Sequence, residues 1–269
     1  MNNEQQHQKD LERIKNFRLM DDDFMNACFD GNIEATEFML RIILGRQDIN
    51  VTKVTTQKIM KNLIGRDVWL DILATDDKNE EINIEIQRSD KGAGRKRARY
   101  HSSILDTHLL GVGDDFDKLP ETYVIFLTEN DVIGKNQPIY WIDRYIDGAD
   151  LFNDGEHIIY VNGAIRGSKT ELEKLMHDFF CTNPDDMYYE ELAKKVRYFK
   201  EEEEGVRSMC KALEDMRTEV AREVAKETEW KTKVETIHRL LIKGFSVEDI
   251  AEGVDLTVEQ VKEIAGQPA

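Results

Sequence analysis

The chain has 269 residues, 40% of them hydrophobic and only 4 of them proline, which is typical of an ordered globular protein with one sizeable core and room for an extension. No segment approaches the roughly 18 to 20 apolar residues of a membrane-spanning helix, and the polar start lacks the apolar centre of a signal peptide. The cysteines are far apart, at Cys28, Cys181 and Cys210, which indicates free thiols in a reducing compartment. We therefore expect a cytoplasmic protein.

The net charge of −17 disfavours a protein that binds nucleic acid with most of its surface. Most of the 54 carboxylates are expected to serve solubility. Basic residues are nevertheless concentrated in residues 88–99, a segment whose single acid is Asp90. The basic residues of this segment are Arg88, Lys91, Arg95, Lys96, Arg97 and Arg99. An acidic chain can therefore still carry a local phosphate-binding surface.

The first part of the chain is predicted to be helical. Residues 1–20 form a polar lead-in, and the acids at positions 21–23 precede an apolar run with helical spacing, as the positive end of a helix dipole favours. Gly31 and Asn32 are expected to divide this run into two helices. Gly45 is expected to end the second helix.

Strands are predicted where β-branched and apolar residues cluster between turn residues. The candidate strands are residues 51–57, 67–75, 81–88, 123–127, 138–145 and 157–161. The short polar connector 76–80 indicates a hairpin between the second and third of them. The continuous apolar run 123–127 indicates a strand that is buried on both faces.

The remaining segments are predicted to be helical. Residues 93–110 form a helix that carries most of the basic segment. Beyond Ser168, apolar residues recur at steps of three and four, which indicates a long amphipathic helix or a helical hairpin. Ser246 and Thr257 each precede acids or amides in the pattern of a helix start, so two short helices are expected near the C-terminal end.

The pattern that carries chemistry is one acid on the first strand of the predicted hairpin and Glu-x-Gln on the second. Asp71 lies inside an otherwise apolar run, where a bare carboxylate would cost several kcal/mol. Glu85 and Gln87 share one strand face with Asn83. A hairpin could bring Asp71 close to Glu85, and two adjacent carboxylates repel unless a cation lies between them. Such oxygen ligands suit Mg²⁺ or Mn²⁺, which polarise a phosphate oxygen and lower the pKa of a bound water.

This pattern resembles the motif of the PD-(D/E)XK nuclease superfamily, which has an acid on one strand, Glu-x-Gln or a related sequence on the next strand, and then a helix. The chain is most similar to a group described as recombination-promoting nucleases or PD-(D/E)XK-family transposases, in which glutamine replaces the last lysine of the motif. The resemblance extends to residues 97–106, to residues 119–127 and to the helical pair after Gly244. Together it covers roughly residues 20–265, and we treat it as specific.

The resemblance implies an α/β fold with a restriction-endonuclease-like core, in which helices flank a mixed central β-sheet, and an α-helical C-terminal extension. The implied organisation consists of a lead-in at 1–20, a nuclease-like core at 21–165, a helical extension or coiled coil at 166–243 and a small helical pair at 244–269. These boundaries are predictions.

The resemblance also implies roles at the site. Asp71 would be the principal metal ligand, Glu85 the second carboxylate ligand, and the backbone carbonyl of Ile86 a further one. Gln87 stands where the superfamily usually has lysine, so it can donate a hydrogen bond but adds no positive charge. An acid of the first helix often completes such sites. Asp23 and Glu37 are the candidates, and we favour Asp23, although Asp23 as a simple helix cap is an equally good interpretation.

The basic segment is the candidate DNA-binding surface. Its predicted DNA-binding members are Arg88, Arg95, Lys96, Arg97 and Arg99. The competing interpretation is a solvated helix face, which is the usual fate of a run of charges. The position of this segment directly after the Glu-x-Gln strand favours phosphate contact.

The sequence thus predicts a metal-dependent DNA endonuclease that uses Mg²⁺ or Mn²⁺ and promotes recombination or transposition of a mobile element. The first alternative is a DNA-binding or assembly protein that retains the fold without the chemistry because of Gln87. The second is an adaptor that forms homo-oligomers through the C-terminal helices.

Overall fold

The structure is a computed structural model, and it describes residues 3–62 and 65–266. The chain divides into two compact units, of which the first ends at Arg207 and the second begins at Ser208. No helix in the described ranges is both long enough and apolar enough to cross a membrane.

The elements follow the order expected from the sequence. The helices are α1 (Asn3–Asn16), α2 (Asp22–Phe29), α3 (Ile33–Leu44), α4 (Arg95–Thr107), α5 (Glu171–Phe180), α6 (Glu190–Glu201), α7 (Glu203–Ile242), α8 (Val247–Val254) and α9 (Val258–Ala265). The strands are β1 (Val51–Met60), β2 (Val68–Asp76), β3 (Glu81–Gln87), β4 (Thr122–Thr128), β5 (Ile139–Ile142), β6 (Tyr145–Ile146), β7 (Asp150–Leu151) and β8 (Glu156–Asn162).

The central sheet is mixed and has the strand order β1-β2-β3-β4-β8-β5. Strands β1, β2 and β3 are antiparallel to their neighbours in turn, β3, β4 and β8 run parallel, and β5 pairs antiparallel with β8. Every residue of β4 is buried, as its continuous apolar run predicted. The fold is therefore the restriction-endonuclease-like α/β architecture, with helices flanking a six-stranded sheet.

One strand prediction was wrong in extent. Residues 138–145 were expected to form a single strand, but the structure ends β5 at Ile142 and begins β6 at Tyr145. Strand β6 leaves the central sheet and pairs with β7 in a small exposed ribbon. The residue types of this segment favour a strand but do not indicate which sheet the strand joins. Tyr145 and Ile146 are apolar in type and yet exposed.

The predicted helix boundaries between α2 and β1 are confirmed. The Asn32 side chain accepts a hydrogen bond from the backbone N–H of Ala35 and begins α3. Gly31 and Gly45 both have a left-handed backbone, with φ of 63° and 62°, which is favourable for glycine. The lead-in is helical from Asn3 to Asn16, and its end is anchored in the core by buried Phe17 and Met20.

Helix α4 is the element that connects the basic segment to the sheet. It contacts β4 and β8, and Ala98 packs in one apolar cluster with Val124, Phe126 and Tyr160. The rings of Phe126 and Tyr160 are stacked with centroids 5.2 Å apart. Helices α2 and α3 contact β1, so the first helices and α4 are both positioned by the sheet.

The second unit has its own small core. The end of α7 packs against α8 and α9 through Ile237, Ile250, Val254 and Val261, all of them buried. Thr257 and Gln260 form a capping box at the start of α9, which confirms the helix start predicted there. The predicted division into four segments stays a prediction.

Phe126→Ala is expected to lower the free energy of unfolding by about 3 to 5 kcal/mol, because the substitution leaves a cavity between β4 and α4. Phe116→Ala is the matched control: Phe116 is 80% exposed, and its loss should change stability by no more than about 0.5 kcal/mol. Urea unfolding of the purified chain measures both. Equal effects of the two substitutions would contradict this assignment of the core.

Candidate active site

Asp71 and Glu85 lie opposite each other where the ladder between β2 and β3 opens. The last paired residues are Ile72 and Ile84, and continuing this register places Asp71 against Glu85. Beyond this point, side-chain carboxylates accept the hydrogen bonds that connect the two strands. The N–H of Ile86 donates to Asp71 Oδ2 at 2.8 Å, and the N–H of Asp71 donates to Glu85 Oε1 at 3.3 Å. The structure therefore brings the two predicted acids together.

The other edge of β2 is also irregular at Asp71. Residues flanking this position pair with β1, as Thr56 with Ile72 and Lys58 with Leu70, whereas Gln57 and Asp71 do not pair. Gln57 has a left-handed backbone with φ of 53°, which is uncommon for a residue other than glycine. The ladder is thus interrupted on both sides of Asp71, which leaves this residue to be held by side-chain hydrogen bonds.

Glu85 is completely buried, and two side chains of α4 contact its carboxylate. Arg97 Nη2 lies 3.2 Å from Glu85 Oε2, and His101 Nδ1 lies 3.4 Å from Glu85 Oε1. Arg97 Nε also donates to His101 Nε2 at 3.2 Å. Since a buried carboxylate without a partner is strongly unfavourable, these contacts fix α4 against β3.

Within the described parts of the chain, Asp71 has no comparable basic partner. Burial raises the pKa of Asp71 to about 7, and repulsion from Glu85 and then from Asp22 adds to this effect. The N–H of Ile86 and the guanidinium of Arg97 oppose the rise in pKa without cancelling it. The position is therefore short of positive charge, which is the condition that a bound cation would relieve.

The acids of the first helices have different surroundings. Asp22 is the acid of α2 whose charge acts on Asp71. Asp23 is not among the charged groups that shift the pKa of Asp71. This electrostatic contribution favours Asp22 over Asp23 as the acid of α2 that acts on Asp71, and the role of Asp23 at the site stays a prediction.

Glu37, the other acid considered for this role, is occupied elsewhere. Its Oε2 accepts a hydrogen bond from the N–H of Val51 at 2.9 Å, and its Oε1 pairs with Arg41 at 2.7 Å. Glu37 therefore secures the start of β1 against α3.

The donor set at the site is small. Within residues 3–62 and 65–266, no group of three His, Cys, Asp or Glu side chains is close enough to hold a metal ion. The two carboxylates that do converge, one on each of two neighbouring strands, offer hard oxygen atoms to a metal ion. The raised pKa of Asp71 indicates that its carboxylate has too little positive charge nearby. This chemistry fits a divalent ion such as Mg²⁺, which keeps several waters and needs only one or two carboxylates.

Gln87 ends β3 beside the turn that precedes α4. A Cβ on Gly92 would lie 1.8 Å from Gln87 Oε1, so the amide occupies the space that a side chain at position 92 would need. The backbone carbonyl of Gln87 accepts a hydrogen bond from Glu129 N–H at 3.0 Å. Gly92 therefore permits the observed position of the Gln87 amide.

The predicted DNA-binding residues separate into two sets. Arg88 pairs with Asp21 at 2.9 Å and with Glu129 at 3.7 Å. Arg95 lines a small apolar cavity with Tyr160. Lys96, Arg97 and Arg99 instead line a groove beside the acid pair.

This groove, here called the basic groove, has a volume of about 1500 Å³. Its lining residues are Asn62, Gly65, Arg66, Asp67, Val68, Trp69, Lys91, Lys96, Arg97, Arg99, Tyr100 and His101. Asp67 is its only acid among the described residues, and Lys61 pairs with Asp67 at 2.9 Å. Sequence reasoning did not assign Arg66, Lys91 or Trp69 to the site, and only the alternation along β2 could have indicated Trp69.

One comparison with known proteins identifies a relationship. The sequence model of a family described as PD-(D/E)XK nuclease family transposase matches residues 30–240. No curated protein and no solved structure matches the chain. The match covers β2, β3 and α4 and thus includes both converging acids.

Asp71→Asn is expected to stabilise the metal-free chain near neutral pH. The unfolded carboxyl ionises near its ordinary pKa of 3.8, whereas the folded one holds its proton until about 7. The stability contributed by the protonated group is therefore lost as the pH rises between these values. In EDTA, the melting temperature of the variant should exceed that of the wild type at about pH 8, and the difference should shrink by about pH 5.

Asp131→Asn provides a control of opposite sign. Burial raises the pKa of Asp131, but hydrogen bonds from the Gly134 N–H and the Tyr140 hydroxyl outweigh burial and lower it overall. This variant should therefore be less stable than the wild type at about pH 8. An Asp71→Asn variant that melts below the wild type at both pH values would contradict the raised pKa.

Proposed function

The chain belongs to the PD-(D/E)XK nuclease family transposases, and on that premise we propose that it is a DNA endonuclease that depends on Mg²⁺ or Mn²⁺ and promotes recombination or transposition of a mobile element. The family match supports a function of nuclease or transposase type. The reaction proposed is hydrolysis of a phosphodiester bond.

The observation that carries this proposal is the convergence of Asp71 and Glu85 at the edge of the basic groove. Acids at this spacing without a cation would repel each other, and the raised pKa of Asp71 reflects that repulsion together with burial. Lys96, Arg97 and Arg99 line the adjacent groove. A phosphate bound there would therefore lie beside the acids.

Nucleases of this family generally use divalent metals. Asp71, Glu85 and the Ile86 carbonyl would hold the ion, and Asp22 is better placed than Asp23 to add charge. When bound, such an ion neutralises charge on the scissile phosphate and makes water a stronger acid.

The chain's own residues would bind and orient the DNA. Helix α4 has no acid in its first turn and begins instead with Arg95, Lys96 and Arg97. Cations are unfavourable at the positive end of a helix dipole, so an anion such as phosphate is a suitable partner for this turn. The Gln87 amide can donate a hydrogen bond to a phosphate oxygen or to water, but it cannot supply the positive charge of a lysine.

Asp71→Asn and Glu85→Gln are each expected to reduce cleavage of plasmid DNA in Mg²⁺ by at least about 100-fold, because either change removes a charged ligand. Asp77→Asn in the hairpin turn is the matched control and should cut like the wild type, since Asp77 is exposed and its side chain accepts a hydrogen bond from Asn50, away from Asp71 and Glu85. Gel assays with Mg²⁺ or EDTA measure the activity. Cleavage that persists in EDTA and in Asp71→Asn would refute the assignment.

Asp22→Asn and Asp23→Asn separate the two acids of α2. Since Asp22, and not Asp23, is among the charges that raise the pKa of Asp71, Asp22→Asn should raise the Mg²⁺ concentration needed for half-maximal cleavage by about 10-fold or more. Asp23→Asn should change it by less than about 2-fold, within the range of a surface substitution. The reverse order would show that Asp23 serves the site.

A second candidate function is metal-independent DNA binding without cleavage. Two features favour it: Gln87 stands in place of lysine, and Arg97 already supplies positive charge to Glu85. This function would be supported by DNA binding that weakens with salt and with Arg97→Glu, while no cleavage occurs in Mg²⁺ or Mn²⁺.

A further inference from the structure

Trp69 presents an exposed indole close to the acid pair. Along β2, residues 68, 70, 72, 74 and 76 are buried, whereas Trp69, Asp71 and Leu73 are less buried. This alternation places Trp69 and Asp71 on the same strand face, roughly 7 Å apart along the strand. The Trp69 side chain is 59% exposed, although a residue of this size is usually largely covered.

The groove around Trp69 is rich in cations. Arg66, Lys91, Lys96 and Arg99 line it, and none of them forms an ion pair within the described parts of the chain. Tyr100 adds a second aromatic ring to the lining. Free cations with interleaved aromatic rings are the combination with which proteins bind single-stranded nucleic acid: the cations contact the backbone and the rings stack on bases.

Exposed tryptophan alone would not indicate a site. Trp141 and Trp230 are also exposed, at 45% and 47%, and neither lines the basic groove. Trp141 lies on the edge strand β5 with its ring against His157, and Trp230 lies on α7. Trp69 differs from both because it combines exposure, unpaired cations and the same strand face as Asp71.

We propose that Trp69 is a stacking platform for an unpaired base, so that the chain takes DNA in which the strand is unpaired beside the scissile phosphate. This inference rests on the proposed nuclease function and names its substrate class. In a duplex the faces of the bases are covered by their neighbours, and an indole could reach only edges and backbone. An unpaired base exposes its face to Trp69 while the cations of the groove hold the flanking phosphates.

The test is binding of the full chain in EDTA, where metal-dependent cleavage does not intervene. The probes are a single-stranded oligonucleotide, the duplex of the same sequence, and that duplex with a short unpaired gap. The single strand and the gapped duplex should bind more tightly than the intact duplex. Duplex that binds as tightly as single strand would overturn the proposal.

Substitutions of Trp69 distinguish stacking from general charge attraction. Trp69→Leu, which keeps an apolar side chain without a ring, should weaken single-strand binding by about 5- to 150-fold and duplex binding by less than about 2-fold. Trp69→Phe should retain most of the affinity because it retains an aromatic face. A Trp69→Leu variant that loses both affinities equally, or neither, would overturn the proposal.

Tryptophan fluorescence distinguishes stacking from a purely structural role of Trp69, because a structural role would not make the emission depend on DNA. Single-stranded DNA should quench the emission of the wild type and of Trp141→Leu, and the quenching should largely disappear in Trp69→Phe. Quenching that survives in Trp69→Phe would count against stacking on this ring. If the chain binds single strand more tightly than duplex in EDTA but does not cleave DNA in Mg²⁺, only the nuclease function is refuted. If it cleaves DNA but binds single strand and duplex equally, only the stacking role of Trp69 is refuted.

Discussion

Beyond Ile72 and Ile84, carboxylates take over the hydrogen bonding that the backbone ladder provides elsewhere between β2 and β3. The N–H of Ile86 binds the carboxylate of Asp71, and the N–H of Asp71 binds that of Glu85. This crossed pair of hydrogen bonds satisfies backbone groups that would otherwise be unpaired in a partly buried position. It also holds two carboxylates close together. The hydrogen bonds that stabilise the local fold therefore also cause the repulsion between Asp71 and Glu85.

Helix α4 supplies positive charge to one of the two acids. Its Arg97 balances the charge of Glu85, its His101 contacts the same carboxylate, and its Ala98 packs on the sheet beside Phe126 and Tyr160. Asp71 is left with a raised pKa because burial and Glu85 outweigh the distant positive charge. Arg97 is 41% exposed at the edge of the basic groove, so the residue that balances the acids is also available to a phosphate.

The sequence was sufficient to predict the sheet strands near the site and the pairing of Asp71 with Glu85, because a charged residue inside an apolar run and a short polar connector are local signals. The choice between Asp22 and Asp23 depends on the rotation of α2 against β2, which no local pattern contains. The same holds for α4: Arg95 shares a helix face with Ala98 at i+3, whereas Lys96, Arg99 and Tyr100 share the face that lines the groove. The run of basic residues could not distinguish these faces. The role of Trp69 depends on α4, an element about 30 residues further along the chain.

The proposed function requires that Asp71 and Glu85 hold one divalent cation between them. The most direct test is a crystal of the full chain soaked in Mn²⁺ and measured at the manganese absorption edge. The expected result is an anomalous peak within bonding distance of both carboxylates, with the Arg97 guanidinium moved away from Glu85. A map without a peak at that position, in which Arg97 still contacts Glu85, would contradict the claim.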